Sequence, residues 1–398
     1  MKQILLKILK LILIVTAVVL GLLIVFGLAL MAGWPWWVGF FLLVGIGGLF
    51  VAVLFARKLW LKRREQHFVN QVIEQDDQFL SQMGAKDQEV HQELQQRWKE
   101  AVQALKQSHL KKQGNPLYVL PWYMIIGESG SGKTTAIQSA RLSSPFAEIK
   151  RISGISGTRN CDWWFFEQAI LIDTAGRYAI PIDEGRDKDE WQRFLALLTK
   201  YRRKEPLNGL VVTVAADKLA ESGTEALEDD GKNIRRRIDE LMRVLGAKFP
   251  VYLLVTKCDL VQGMNAFCNF LPESSLNQAM GHVNHEQSGD ADAFLKRALH
   301  TVAERLRNLR LLLFQKSSGQ TGAGNASLET DPGLLLFPEE FERIQPGLAA
   351  FVRSAFEENP YQETPMFRGV FFSSGRQEGA PYSHFLQALG LIGQRDVL

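Results

Sequence analysis

Nine residues, "GESGSGKTT" at 127–135, constrain this chain more than any other stretch. They follow the apolar run Tyr123, Met124, Ile125 and Ile126 and lead into the helix-compatible "AIQSARL". Strand, glycine-rich turn and helix in that order make the phosphate-binding loop G-x-x-x-x-G-K-[ST]. The chemistry calls for these residue types. Gly127, Glu128, Ser129, Gly130, Ser131 and Gly132 can curl their backbone N–H groups around phosphate oxygens. Lys133 reaches the β- and γ-phosphates, the Thr134 hydroxyl is a Mg²⁺ ligand, and Thr135 completes the motif.

Two further elements stand in the expected order. "AILIDTAGRY" reads as a strand, Ala169 to Ile172, running into Asp173-Thr174-Ala175-Gly176. Here Asp173 would hold Mg²⁺ and the Gly176 N–H would meet the γ-phosphate. "VYLLVTKCD" is a second apolar strand, ending in Thr256-Lys257-Cys258-Asp259. GTPases carry N-K-x-D at this point, with the Asp binding guanine and the Lys packing along the base. Thr256 replaces the Asn, which leaves the choice between ATP and GTP open. "LNGLVVTVA" (207–215) supplies the strand between, and "RGVFFSSG" (368–375) a last strand with a base-side loop. Strands alternating with helical stretches predict an α/β P-loop NTPase, GTPase-like, with a mostly parallel sheet.

The hydrolytic residues are less complete. In Ras-like enzymes a Gln follows DxxG and orients the attacking water; Arg177 stands there. Many ATPases place a Glu directly after the Asp of this strand; Thr174 stands there. Slow intrinsic turnover is therefore expected. Thr158, in "GTRNCDWW", is a candidate switch-loop Mg²⁺ ligand or else a turn residue.

Charge is distributed unevenly. No Asp, Glu, Lys or Arg occurs between Lys10 and Arg57. As one helix that run would measure ~70 Å, more than twice the ~30 Å hydrocarbon core, so it is expected to cross a membrane twice. Gly33 and Pro35 in "AGWPWW" break the helix, and Trp34, Trp36 and Trp37 suit the membrane–water boundary. The expectation is a transmembrane hairpin over 1–57. Its basic flanks (Lys2, Lys7, Lys10, Arg57, Lys58, Lys62, Arg63, Arg64) place both outer ends in the cytoplasm. The whole chain is only +3, so the part beyond residue 64 is net acidic, which excludes nucleic acid as the expected partner. Cys161, Cys258 and Cys268 are odd in number and lack CxxC spacing, so neither a disulfide framework nor a zinc site is indicated.

Between the hairpin and the loop, apolar positions from Phe68 to Leu105 recur at helical spacing. They predict a helical stalk over 58–115 that either packs on the globular domain or a partner, or stays solvated. The P-loop core is assigned to 116–290. A helical extension covers 291–366, with helices near 291–316 and 338–357 around a loop "SSGQTGAGNAS", and the last strand and C-terminal segment cover 367–398. His282 and His285 in "GHVNHE" read as a surface loop rather than a metal pair. The arginines of "IRRRID" (235–237) and "RLRNLR" read as solvated helix faces.

The hairpin together with "LPWYMIIGESGSGKTT", "GTRNCDWWF", "LIDTAGRY" and "SSGRQEG" resembles the N-terminal portion of the TssM (IcmF-related) family of type VI secretion inner-membrane proteins. The type IVB protein IcmF is the close alternative. The resemblance implies a multi-pass inner-membrane subunit of an oligomeric membrane complex. Its implied partners are a TssL/DotU-like inner-membrane protein and cytoplasmic baseplate components. Family members are longer, with a third membrane helix and a periplasmic region that meets an outer-membrane lipoprotein. Here a fragment, split-gene product or truncated homologue is expected. Two functions follow: a domain that binds ATP or GTP with Mg²⁺ and hydrolyses it slowly, or a scaffold whose P-loop domain is a docking platform.

Overall fold

In the computed structural model, residues 85–375 are described except 109, 111–113, 141, 144–160, 270, 272–274, 276–277, 286–289, 320–331 and 360–362, together with single positions between 27 and 48. The chain divides into two units, Met1–Gln82 and Met83–Leu398. Apart from those single positions, the hairpin expected over 1–57 lies outside the described residues. Thr158, the first half of the stalk and residues 376–398 also lie outside them. Among the described residues no helix is long and apolar enough to cross a membrane.

The second unit is a mixed α/β domain. Its strands are β1 (Trp122–Gly127), β2 (Cys161–Phe165), β3 (Ile170–Thr174), β4 (Gly209–Ala215), β5 (Pro250–Thr256), β6 (Met280–Val283) and β7 (Met366–Phe372). They form one seven-stranded sheet in the order β2-β3-β1-β4-β5-β7-β6. The inner strands β3, β1, β4, β5 and β7 are parallel, while the edges β2 and β6 run antiparallel. Helices pack around this sheet. They are α1 (Ala85–Gln107), α2 (Pro116–Val119), α3 (Lys133–Ser139), α4 (Gly176–Ala179), α5 (Glu184–Tyr201), α6 (Ala216–Glu221), α7 (Thr224–Leu245), α8 (Met264–Asn269), α9 (Ala291–Gly319), α10 (Pro332–Arg343) and α11 (Gln345–Phe356). The strand order reverses at β1, and in open α/β sheets ligands bind in the crevice at such a switch point, outside the carboxyl ends of the strands.

The stalk alternative is decided for its second half. Leu94, Trp98, Ala101, Val102 and Leu105 of α1 are buried, at the helical spacing that puts them on one face. Trp98 sits among Trp122, Trp163, Phe194 and Tyr201. Arg97 of the same helix pairs with buried Asp162 at 3.1 Å and donates to the Cys161 carbonyl at the β2 edge. Arg202, itself buried, lies 4.8 Å from the Trp122 ring centroid and 5.4 Å from that of Tyr118, and burial lowers its pKa to about 10.

Two expectations are corrected here. His282 stands in the edge strand "MGHV" rather than in a loop, pairing with Val370 across β6 and β7 with its ring facing Phe294, while His285 lies exposed past the strand. "CDWWF", to which the sequence reading assigns no strand, is the opposite edge. The glycine and histidine of "MGHV" hid the alternation that a strand normally shows. Arg235 and Arg237 are buried rather than solvated. Arg235 pairs with Asp239 at 3.0 Å and donates to the Glu357 carbonyl just past the end of α11. Arg237 pairs with Glu240 at 2.8 Å and faces Trp191. The helical extension thus folds onto α7. A Cβ at Gly231 would strike the Phe351 carbonyl and Ser354, so α7 and α11 cross with their backbones nearly touching.

Candidate functional site

The loop between β1 and α3 owes its curve to two glycines. Gly130 and Gly132 hold φ of 77° and 79°, in the left-handed region that only glycine enters without steric cost. Gly132 caps α3, so the first N–H groups of that helix face the turn. Ile125, Ile137 and Phe166 pack beneath, fixing helix to strand. A cleft of about 480 Å³ opens over the turn, lined by Ser129, Gly130, Gly132, Lys133, Thr134, Thr135, Gly176, Thr256, Lys257, Asp259 and Gly375 among others. That volume falls within the ~300–1,000 Å³ common for small-molecule sites.

Lys133 is buried, and its Nζ donates to the Gly127 and Glu128 carbonyls at 2.8 Å each. Burial pulls its ammonium down to about 8, against the opposing fields of Asp173 and Glu128. Thr134 Oγ1 donates to Asp173 Oδ2 at 2.5 Å. The Asp173 side chain, at the end of β3, is fully buried. One hydroxyl and one carboxylate are the hard oxygen donors that Mg²⁺ takes alongside phosphates and water. Among the described residues no group of three or more His, Cys, Asp or Glu could hold a metal ion, so a metal here would share its shell with a phosphate ligand. Gly176 lies directly on the loop, since a Cβ there would run into the backbone of Ser129 and Glu128.

The base side is built differently from a guanine-reading N-K-x-D. Thr256 is buried and donates to the Ser131 carbonyl at 2.5 Å, with the Val214 carbonyl at 3.2 Å. Lys257, at φ 55°, pairs with Asp217 at 3.4 Å. Asp259 accepts from Ser374 Oγ at 2.5 Å, and Ser374 follows β7, where the base-side loop was expected. Ser374 and Thr213 are participants that the sequence reading passed over. Thr213 was visible only as a lone hydroxyl in an apolar strand.

The two positions that lack a water-orienting residue serve the fold. Thr174 Oγ1 donates to the Ile125 carbonyl at 2.8 Å, tying β3 to β1. Arg177 pairs with Glu190 at 2.7 Å and Asp187 at 3.3 Å, both on α5. Cys161 and Cys258 are wholly buried, and their thiols are pushed up to about 12, which removes them as nucleophiles.

The model of the IcmF-related N-terminal domain matches residues 184–394. The chain belongs to the IcmF-related family. A curated relative, described as type VI secretion system component TssM1 of Pseudomonas aeruginosa (strain PAO1), is 34% identical over 308 residues, 74% of this chain. The chain spans 27% of the length of that relative. Solved structures with some likeness include a signal recognition particle receptor SRb-GTP/SRX complex from Chaetomium thermophilum. It is 18% identical, covers 35% of this chain and 71% of its own, and has a TM-score of 0.24. A GTP-binding protein from Sulfolobus solfataricus in complex with GDP is 16% identical, covers 44% of this chain and 52% of its own, and has a TM-score of 0.21. The family match begins at α5, C-terminal to the phosphate loop of this IcmF-related chain.

That geometry carries a pH dependence. An unfolded lysine titrates near 10.5 and folded Lys133 near 8. Between these values the unfolded chain binds more protons, so the Lys133 contribution to stability rises with pH across the window. Binding of an anionic phosphate at Lys133 would run the other way, because it would need the ammonium. Affinity should fall above about pH 8 by up to about tenfold per pH unit, the limit for uptake of one proton. Titration with a fluorescent nucleotide from pH 7 to 9.5 reads this directly, and a flat profile would show that Lys133 does not bear on the ligand.

Proposed function

We propose that this chain forms part of an inner-membrane subunit of a type VI secretion membrane complex, and that its P-loop domain binds a nucleoside triphosphate with Mg²⁺. The observation that carries the proposal is a left-handed glycine turn under one cleft lined by Lys133 and Thr134, with the Thr134 hydroxyl bonded to the buried Asp173 carboxylate beneath it. Lys133 would hold the β- and γ-phosphates, and Thr134 and Asp173 the metal. Mg²⁺ would supply charge neutralisation on the phosphates. Lys257 and Asp259 would flank the base. Slow hydrolysis is expected, because Arg177 and Thr174 are committed to structural contacts. In this reading the domain is cytoplasmic, the protein is a multi-pass oligomer, and nucleotide state is coupled to assembly with a TssL/DotU-like protein and baseplate components.

Those same committed contacts favour a second reading, a scaffold whose P-loop domain docks partners without turnover. Thermal melting of the full chain in detergent separates the two. A ligand at 100 times its dissociation constant stabilises by about 2.7 kcal/mol, which moves the midpoint by several degrees in a domain of this size. A shift with ATP or GTP that requires Mg²⁺ is the expected result. No shift with either nucleotide at millimolar concentration leaves the scaffold.

A further inference from the structure

Beneath the phosphate loop lie three buried hydroxyls that the nucleotide reading does not itself use. Thr213, on β4, directs its hydroxyl hydrogen to the Ile126 carbonyl at 3.2 Å. Its oxygen is then left to accept from Ser131 Oγ, 2.9 Å away. The side chain of Thr213 also fills the space beside Gly127, where an added Cβ would collide with it. Thr256, at the end of β5, donates to the Ser131 backbone carbonyl at 2.5 Å, and its Cβ lies 3.4 Å from where a Cβ on Gly132 would stand. All three residues are less than 5% exposed. A hydroxyl has one hydrogen and two lone pairs, so with the Thr213 hydrogen on the Ile126 carbonyl, Ser131 is the donor of the pair, and the Thr256 hydrogen is shared between the Ser131 and Val214 carbonyls. Ser131 is held from two sides, its side chain by β4 and its carbonyl by β5. The next residues are Gly132 and Lys133, where the loop turns into α3.

We propose that Thr256 is a positioning residue for the phosphate loop rather than a reader of the base, and that with Thr213 it holds Ser131 so that the loop is curved before ligand arrives. The proposal rests on the nucleotide-binding reading above and adds a specific division of labour to it. The hydroxyl hydrogen of Thr256 is spent on loop and strand carbonyls, so base preference falls to Asp259 and Ser374, while Thr256 acts on the phosphates common to every nucleotide. A preorganised loop lowers the ordering cost of binding. Loss of the Thr256 hydroxyl also leaves the Ser131 carbonyl without its donor, at a site where buried polar groups need partners.

The test uses the full chain in detergent, titrated with ATP·Mg²⁺ and GTP·Mg²⁺ by calorimetry. Thr256→Val keeps the shape and removes the hydroxyl; it should weaken both nucleotides about tenfold and leave the ATP-to-GTP ratio unchanged. Thr256→Ser restores the hydroxyl and should return both affinities to within about twofold of wild type. Melting without nucleotide checks that each variant is folded. Should Thr256→Val fail to fold, Thr213→Val is expected to weaken both nucleotides in the same uniform way and replaces it in the comparison. Unchanged affinity in a folded Thr256→Val protein, a changed ATP-to-GTP ratio, or no rescue by Ser overturns the inference alone. Absence of binding by the wild type overturns the nucleotide reading and the inference with it.

Discussion

Lys133→Ala should abolish the nucleotide-dependent melting shift while leaving the midpoint of the ligand-free protein nearly unchanged. Two opposing terms account for the second half of that expectation. The substitution strips the Gly127 and Glu128 carbonyls of their donor, and hydrogen bonds involving a charged group contribute ~1.5–3 kcal/mol each. It also removes a buried ammonium whose charge is disfavoured there, as its pKa near 8 records. These effects largely offset in the empty domain. With phosphate bound as proposed, nothing would offset the loss, because Lys133 is the lysine of the glycine turn itself. In the proposed binding mode, losing charge-assisted bonds to two phosphates would be worth ~3–4 kcal/mol, which is two to three decades in affinity. Calorimetric titration of wild type and variant checks this. A variant that binds within threefold of wild type would mean that the ligand, if any, sits elsewhere.

Much of this site was legible before the fold was known, and the reasons differ by residue. Gly130, Gly132 and Lys133 belong to a local motif, so spacing alone placed them. Asp173 and Gly176 follow a strand whose apolar run marks its end, and parallel strands bring such ends to one edge of the sheet. What sequence could not supply was the set of partners. Whether Thr256 turns toward the base or the loop depends on β4 and β5 lying side by side in register, which no local window contains. Arg177 looked like a poor stand-in for a catalytic Gln because nothing nearby in sequence announced that Asp187 and Glu190 on α5 would take its charge. Arg235 and Arg237 failed as expectations for a related reason. A charge run normally marks a solvated face, but here carbonyls past α11 and carboxylates within α7 satisfy guanidiniums that tertiary packing buries. The edge strands β2 and β6 were missed because edges are paired on one side only and need less apolar alternation than the strands they flank.

Trp98→Ala should be the most damaging single substitution for stability. The indole is fully buried and packs at ring-centroid distances of 4.7 Å to Trp163, 5.4 Å to Tyr201, 5.9 Å to Phe194 and 6.3 Å to Trp122. Truncating a buried Trp to Ala costs ~3–5 kcal/mol, from lost transfer energy and from a cavity that rigid neighbours cannot close. Here the neighbours are aromatic and themselves packed edge-on or stacked, so collapse is limited and the upper part of that range applies. The expected midpoint change is on the order of ten degrees. Trp98→Phe is the informative control. The Trp98 indole N–H has no hydrogen-bond partner among the described residues, so the cluster is held by buried area and ring geometry, and Phe should recover more than half of the loss. The outcome bears on function through α1. Through Trp98, α1 packs against Trp122 at the start of β1, the strand that carries the phosphate loop. Trp98→Ala should then also weaken nucleotide binding in protein that remains folded at low temperature. A midpoint change under two degrees would instead make α1 a detachable stalk, and its ring contacts with β1 and β2 would carry no such coupling.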